Sequence, residues 1–160
     1  IFNLLGPLTN PANAKIQLLG VYAKDLVSIH CNCLKELGSE RALVVHGLDG
    51  LDEISLSDKT LINELKDNKI TKFIFDPKDY GYNYINIKEI KGGDPVFNAK
   101  SFIEMINGNN EPYQNIVEIN AGAAIYLDGK AKNLKEGFTL AHKVINEKIT
   151  RDFVNSVING

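Results

Sequence analysis

Between residues 16 and 46 the chain reads strand, helix, strand, and that order leaves few folds open. Ile16-Gln17-Leu18-Leu19-Gly20-Val21-Tyr22 has the apolar character of a strand over residues 16–22. Residues 24–37 put Leu26, Ile29, Cys33, Leu34 and Leu37 on one helical stripe, and Gly38 stands where a helix C-terminal glycine belongs. Ala42 to His46 follows as an apolar, β-branched run of the kind buried on both faces of a sheet. A strand, a helix and a strand over this length form a right-handed crossover, so the two strands are parallel.

The second strand runs into a glycine-punctuated loop, Gly47 to Gly50, and then into two adjacent carboxylates, Asp52 and Glu53. Open α/β sheets place ligand sites where strands end at their carboxyl side. Neighbouring carboxylates repel when both are ionised, and a cation relieves the repulsion. Mg²⁺ is typically held by one or two carboxylates together with substrate phosphates. On spacing alone a solvated acidic turn is the commoner case. His46, at the end of the same strand, is a candidate base or ligand, though a hydrogen-bonded structural histidine is more frequent at such positions.

The remainder reads as scaffold. Residues 60–65 and 69–75 are short alternating runs around Lys66-Asp67-Asn68, where Asp and Asn tolerate the positive φ of a tight hairpin. Asp76-Pro77 ends the second run, and residues 78–81 form a turn. Gly92-Gly93 looks superficially like a phosphate loop, but Asp94-Pro95 fits a helix cap followed by a first helical position, so the segment is structural. The helix it opens carries Phe97, Phe102, Met105 and Ile106 and stops at Gly108. A buried helix is expected over 112–127, where Ala121, Gly122, Ala123 and Ala124 permit close approach of a neighbour and Asn120 needs a hydrogen bond. Amphipathic helices over 133–147 and 148–158 read as sheet cover. Prolines at 7 and 11 make the first fifteen residues irregular.

Composition narrows function mainly by exclusion. The 160 residues carry 18 Lys and Arg against 20 Asp and Glu, a net charge of −2, which offers no electrostatic case for nucleic acid or a membrane surface. No apolar run is long enough to span a bilayer, and no basic-then-apolar leader opens the chain. Cys31 and Cys33 read as reduced thiols, Cys33 on the core side. A lone Cys-x-Cys on a helix is neither a zinc site nor a disulfide.

Several blocks, taken in order, resemble anthranilate phosphoribosyltransferases. They are Ile1-Phe2-Asn3-Leu4-Leu5-Gly6-Pro7-Leu8-Thr9-Asn10-Pro11-Ala12, then Gln17 to Tyr22, then Leu37-Gly38-Ser39-Glu40-Arg41 running through His46-Gly47 to Asp49-Gly50-Leu51-Asp52-Glu53-Ile54-Ser55. Gly92-Gly93-Asp94 with Asn98-Ala99, and Asn120-Ala121, complete the series. The resemblance implies an enzyme of tryptophan biosynthesis that joins anthranilate to the ribose of phosphoribosyl pyrophosphate and releases pyrophosphate. It implies that Asp52 and Glu53 help to hold Mg²⁺ with the pyrophosphate, and that Gly6 and Pro7 line the path of the aromatic substrate.

The same resemblance sets the fold expectation: α/β, a mixed, partly parallel sheet with an antiparallel hairpin, covered by helices, of the nucleoside phosphorylase and phosphoribosyltransferase type. Residues 1–160 are expected to be the C-terminal portion of that catalytic domain. The family's N-terminal helical domain, its Gly-Thr-Gly-Gly-Asp phosphate loop and an anthranilate-contacting arginine would lie before residue 1. Little activity is expected of the 160 residues alone, and the parent is expected to be a cytoplasmic homodimer formed through the helical domain. Two rival readings are a pyrimidine nucleoside phosphorylase of the same fold, which needs no Mg²⁺ site, and a non-catalytic nucleic-acid-binding paralogue. The acid pair speaks against both, and the net charge against the second.

Overall fold

The structure is a computed structural model that describes residues 5–9, 11 and 13–159. Residues 1–4 of the opening motif, Asn10 and Ala12 lie outside the described residues. The chain divides into two compact units, one running to Tyr84 and including Leu127–Gly129, the other formed by Ile85–Tyr126 and the residues from Lys130.

In the first unit a four-stranded sheet has the order β1 (Ile16–Gly20), β2 (Arg41–Gly47), β3 (Thr60–Lys66), β4 (Lys69–Phe75). Helix α1 (Lys24–Glu36) carries the chain from β1 to β2, and those strands pair in parallel with Ile16 opposite Arg41 and Gly20 opposite Val45. β3 is antiparallel to β2 and to β4. The two-residue turn between β3 and β4 is Asp67-Asn68, with φ of 50° and 58°, the left-handed conformation that a tight hairpin demands. The mixed sheet, crossover and hairpin expected from sequence are all present. The first strand stops two residues early, at Gly20.

β2 is the centre of this unit. Ala42, Leu43, Val44 and Val45 are all inaccessible or nearly so, which is why the sequence is apolar at consecutive positions and not at alternate ones. Against it α1 lays Val27, Cys31 and Leu34, joined by Leu19, Val21 and Leu65 in one cluster. The helix is therefore turned relative to the expected stripe. Ile29 and Leu37 face outward, Cys33 is half-buried, and Cys31 is the core thiol. Both sets obey helical spacing, and the sheet selects the narrower Val27, Cys31 and Leu34 for its contact. α1 ends in a Schellman motif: Gly38, at φ +80°, donates to the Lys35 carbonyl, and Ser39 donates to that of Leu34.

The second unit is helical. α2 (Pro95–Ile106) starts at Asp94, whose carboxylate accepts the Phe97 amide at 2.8 Å, and ends at Gly108 with φ +79°. α3 (Glu111–Leu127) and α4 (Leu134–Asn146) run antiparallel, as three successive contacts record. Gln114 donates to Asn146 at 3.2 Å, Glu118 pairs with His142 at 2.7 Å, and Gly122 meets Gly137 and Phe138. The last contact is backbone on backbone: a Cβ on Gly122 would stand 2.7 Å from the Gly137 carbonyl carbon, and one on Gly137 would stand 2.2 Å from the Gly122 oxygen. The small-residue run of α3 thus does what its composition implies, and Asn120 finds the Ile116 carbonyl at 3.0 Å.

α5 (Lys148–Asn159) corrects an expectation. Its stripe of Ile149, Phe153, Val157 and Ile158 is 61–68% exposed, so that face is not buried as a covering face would be. An amphipathic pattern announces that a face can be buried without naming its partner. The turn expected over residues 78–81 is a 3₁₀ turn, Pro77–Tyr80, and a second 3₁₀ turn, Ile87–Ile90, carries a capping box between Asn86 and Glu89. Among the described residues no helix is long and apolar enough to cross a membrane.

Two consequences are measurable. Burial pushes the Cys31 thiol up to about 11, so about one molecule in a thousand carries its thiolate at pH 8. A thiol reagent at that pH should therefore label Cys33 and reach Cys31 only on unfolding. Replacing Gly122 by Val should cost roughly 1–3 kcal/mol or more in denaturant unfolding, because the crossing has no room for a side chain.

Candidate active site at the ends of the parallel strands

The carboxyl ends of β1 and β2 lie side by side because the strands are parallel. Beyond Gly20 the pairing continues for one bond, from the Val21 amide to the Val45 carbonyl at 2.9 Å. The Val21 carbonyl then meets Nδ1 of buried His46 at 2.8 Å. A carbonyl can only accept, so Nδ1 carries the proton and the ring pins the chain leaving β1. His46 therefore has at least a structural role at this end of the sheet.

The loop after β2 is built by its glycines and by one aspartate. Gly50, at φ +98°, closes a turn by donating to the Gly47 carbonyl at 2.9 Å, and the Gly47 amide reaches the Leu51 carbonyl at 2.8 Å. Within this frame the Asp49 carboxylate accepts from the Ser55 hydroxyl at 2.5 Å, from the Ser57 hydroxyl and from the Leu51 amide at 3.1 Å. Ser55 is itself fixed by its amide, which donates to Thr60 Oγ1 at 2.9 Å. Partial burial pushes the Asp49 carboxyl up, but the hydrogen bonds from Ser55, Ser57 and Leu51 outweigh it and hold the group below the usual aspartate range.

Asp52 and Glu53 stand exposed at the head of this loop, and Ile54, Ser55 and Leu56 directly after them are fully buried. The backbone of Asp52 lies on Gly20, the last residue of β1: a Cβ there would fall 1.5 Å from the Asp52 carbonyl oxygen. Although Glu53 is exposed as a residue, desolvation of its carboxyl and then the charge of Asp52 raise its pKa. Among the described residues no group of three or more His, Cys, Asp or Glu could hold a metal. Two adjacent carboxylates without a third such group beside them among the described residues do not make a cage. They fit a cation that keeps most of its shell for water and phosphate oxygens, which is the habit of Mg²⁺.

Gly6 and Pro7 lie on a 3₁₀ turn, Gly6–Leu8. Pro7 lines a small cavity of about 40 Å³ with Gln17, Leu34 and Leu37, too small for an aromatic ligand. Pro7 borders that cavity beside α1 and Gln17 of β1, whereas the Asp52 backbone lies on Gly20 at the end of β1. An added Cβ on Gly6 would meet nothing within 4 Å, so its glycine is not required by packing. Gly92-Gly93 is committed to structure, since the Gly93 amide and carbonyl both bond the Asn98 side chain, at 2.8 and 3.1 Å.

These features define the class. Residues 1–148 match the family described as "Glycosyl transferase family, a/b domain", and the chain belongs to it. The relatives carry a more particular name. Over 158 residues the chain is 44% identical to an anthranilate phosphoribosyltransferase of Alkaliphilus metalliredigens, covering 99% of this chain and 47% of that protein. It is 44% identical over 146 residues to that of Methanobrevibacter smithii, covering 91% and 44%. Among solved structures it superposes on anthranilate phosphoribosyltransferase from Thermus thermophilus with a TM-score of 0.81 at 36% identity, covering 91% of this chain and 43% of that one. The Saccharomyces cerevisiae enzyme in complex with PRPP and Mg gives 0.76 at 29% identity, covering 90% and 42%. The chain spans about half the length of the curated relatives it matches.

Asp49 and Gly20 were missed as site residues. Asp49 had a local signal, an aspartate followed by glycine whose carboxylate accepts the amide two residues on. Gly20 had a weaker one, since an isolated glycine in a strand marks close backbone approach without saying to what.

The depressed Asp49 pKa has a definite sign. Its folded value lies below the unfolded one, so its contribution is complete above about pH 4 and is lost as pH falls through the folded value. Asp49→Asn should lower stability at pH 7 by about 1 kcal/mol after allowance for solvent. The difference from wild type should shrink below pH 4, as read by urea titrations at several pH values.

Proposed function

We propose that this chain is the C-terminal portion of the catalytic domain of an anthranilate phosphoribosyltransferase, a cytoplasmic enzyme of tryptophan biosynthesis. The observation that carries the reading is the acid pair, clamped at the carboxyl ends of two parallel strands in a chain whose relatives bear that name. In the reaction, a bond forms between the anthranilate nitrogen and C1 of the ribose as the C1–oxygen bond breaks. Pyrophosphate leaves with the electron pair and the nitrogen sheds a proton.

The transition state of such a transfer is oxocarbenium-like, and charge accumulates on the leaving pyrophosphate. Stabilising that charge is the larger demand, and a general base the smaller one. Asp52 and Glu53 are the residues to hold Mg²⁺ beside the pyrophosphate. Bound there, the ion would supply charge neutralisation and orientation of the leaving group. The reading also accommodates a His46 tied to the Val21 carbonyl, because the chemistry does not call on it. Gly6 and Pro7 are the proposed lining of the aromatic substrate's path. The remaining phosphate contacts are assigned to parts of the parent before residue 1, as is the contact that makes it a homodimer.

Anthranilate fluorescence tests this directly. In the full-length parent, its loss with phosphoribosyl pyrophosphate should depend on Mg²⁺. It should fall by about two to three orders of magnitude when Asp52→Asn and Glu53→Gln are combined, the scale of removing a principal electrostatic stabiliser. Turnover that survives the double substitution would return the pair to a solvated turn. No turnover in a folded wild type would overturn the enzyme assignment, and phosphorolysis of a pyrimidine nucleoside would then be assayed.

A further inference from the structure

The acid pair is held from both sides by its own chain. On one side is Gly20. Its backbone is ordinary strand backbone paired with Val45, so glycine is not needed there for conformation. It is needed for space: a Cβ would stand 1.5 Å from the Asp52 carbonyl oxygen and 2.5 Å from its carbon. On the other side is Asp49, which gathers the Ser55 and Ser57 hydroxyls and the Leu51 amide onto one carboxylate. The Ser57 amide donates to Ser55 Oγ at 2.9 Å, and fully buried Ile54 and Leu56 fasten the chain beyond the pair.

Two ionised neighbours on a free loop would swing apart. A backbone fastened before and after them cannot release them, so the cost of bringing them together is met in folding and not on binding. We propose that Gly20 and Asp49 are positioning residues for a divalent-cation site at Asp52 and Glu53, and that they set its cation affinity without contacting the ion. This rests on the functional reading above.

The test uses the full-length parent. Mn²⁺ binding in the presence of inorganic pyrophosphate is measured by calorimetry, beside the Mg²⁺ activation constant and the anthranilate KM at saturating Mg²⁺. Gly20→Ala, Asp49→Asn and Ser57→Ala are compared with wild type and with the combined Asp52→Asn, Glu53→Gln protein. Gly20→Ala and Asp49→Asn should each weaken Mn²⁺ binding and raise the Mg²⁺ requirement by about 10- to 100-fold, the usual effect of losing support behind metal ligands. Ser57→Ala should shift both in the same direction by less, and the anthranilate KM should stay within about twofold.

A variant that lowers kcat and melting temperature while leaving both cation measures at wild-type values would overturn the proposal, since that is what a merely structural role does. If Gly20→Ala does not fold, Asp49→Asn and Ser57→Ala decide the matter. Mn²⁺ binding that persists in the combined acid variant would sink the metal-site reading itself. Binding lost there but unchanged in the positioning variants would sink this proposal alone.

Discussion

The parallel pairing of β1 with β2 is the constraint from which the rest follows. Parallel strands need a crossover, α1 supplies it, and both carboxyl ends then lie at one end of the sheet. His46, the loop after β2 and the acid pair all lie at that end. The Val21 carbonyl is caught by His46, the loop after β2 folds back on itself, and the Asp52 backbone comes down on Gly20. An antiparallel pair would have put the end of one strand beside the start of the other, with no such convergence.

Glycine serves two unrelated purposes in this chain. At Gly38, Gly108 and Gly129 the backbone adopts positive φ at the end of a helix, where a side chain would be strained. At Gly20, Gly122 and Gly137 the requirement is for room, since each lies against another segment's backbone. The first kind is visible in sequence because the helix before it is visible. The second kind is invisible until the partner segment is known, and both close approaches join residues far apart in the chain.

Polar burial shows the same division. Asp49 is surrounded by donors from its own loop, within eight residues of itself, so its network is local and its low pKa is a property of the loop fold. Glu118, by contrast, is buried in α3 and meets His142 of α4 across the antiparallel helix pair. The contacts at 114 with 146, 118 with 142 and 122 with 138 advance by one helical turn on each side, so one seam carries polar pairs at one end and bare backbone at the other. Family membership agrees with the first unit's sheet and with the helices of the second.

By itself the sequence determined the elements and their kind. Apolar runs marked the strands, Asp67-Asn68 marked the hairpin turn, Asp94 and Gly108 marked the ends of α2, and the order strand, helix, strand required a parallel pair. These signals are local, or nearly so, and local chemistry decides them. The tertiary structure alone decided which of two helical stripes α1 turns to the sheet, leaving Cys31 in the core and Ile29 outside. It alone left the apolar face of α5 uncovered and laid Asp52 on Gly20, more than thirty residues away in sequence. Such choices depend on which surfaces meet, and a pattern along one chain segment specifies a face without specifying its partner.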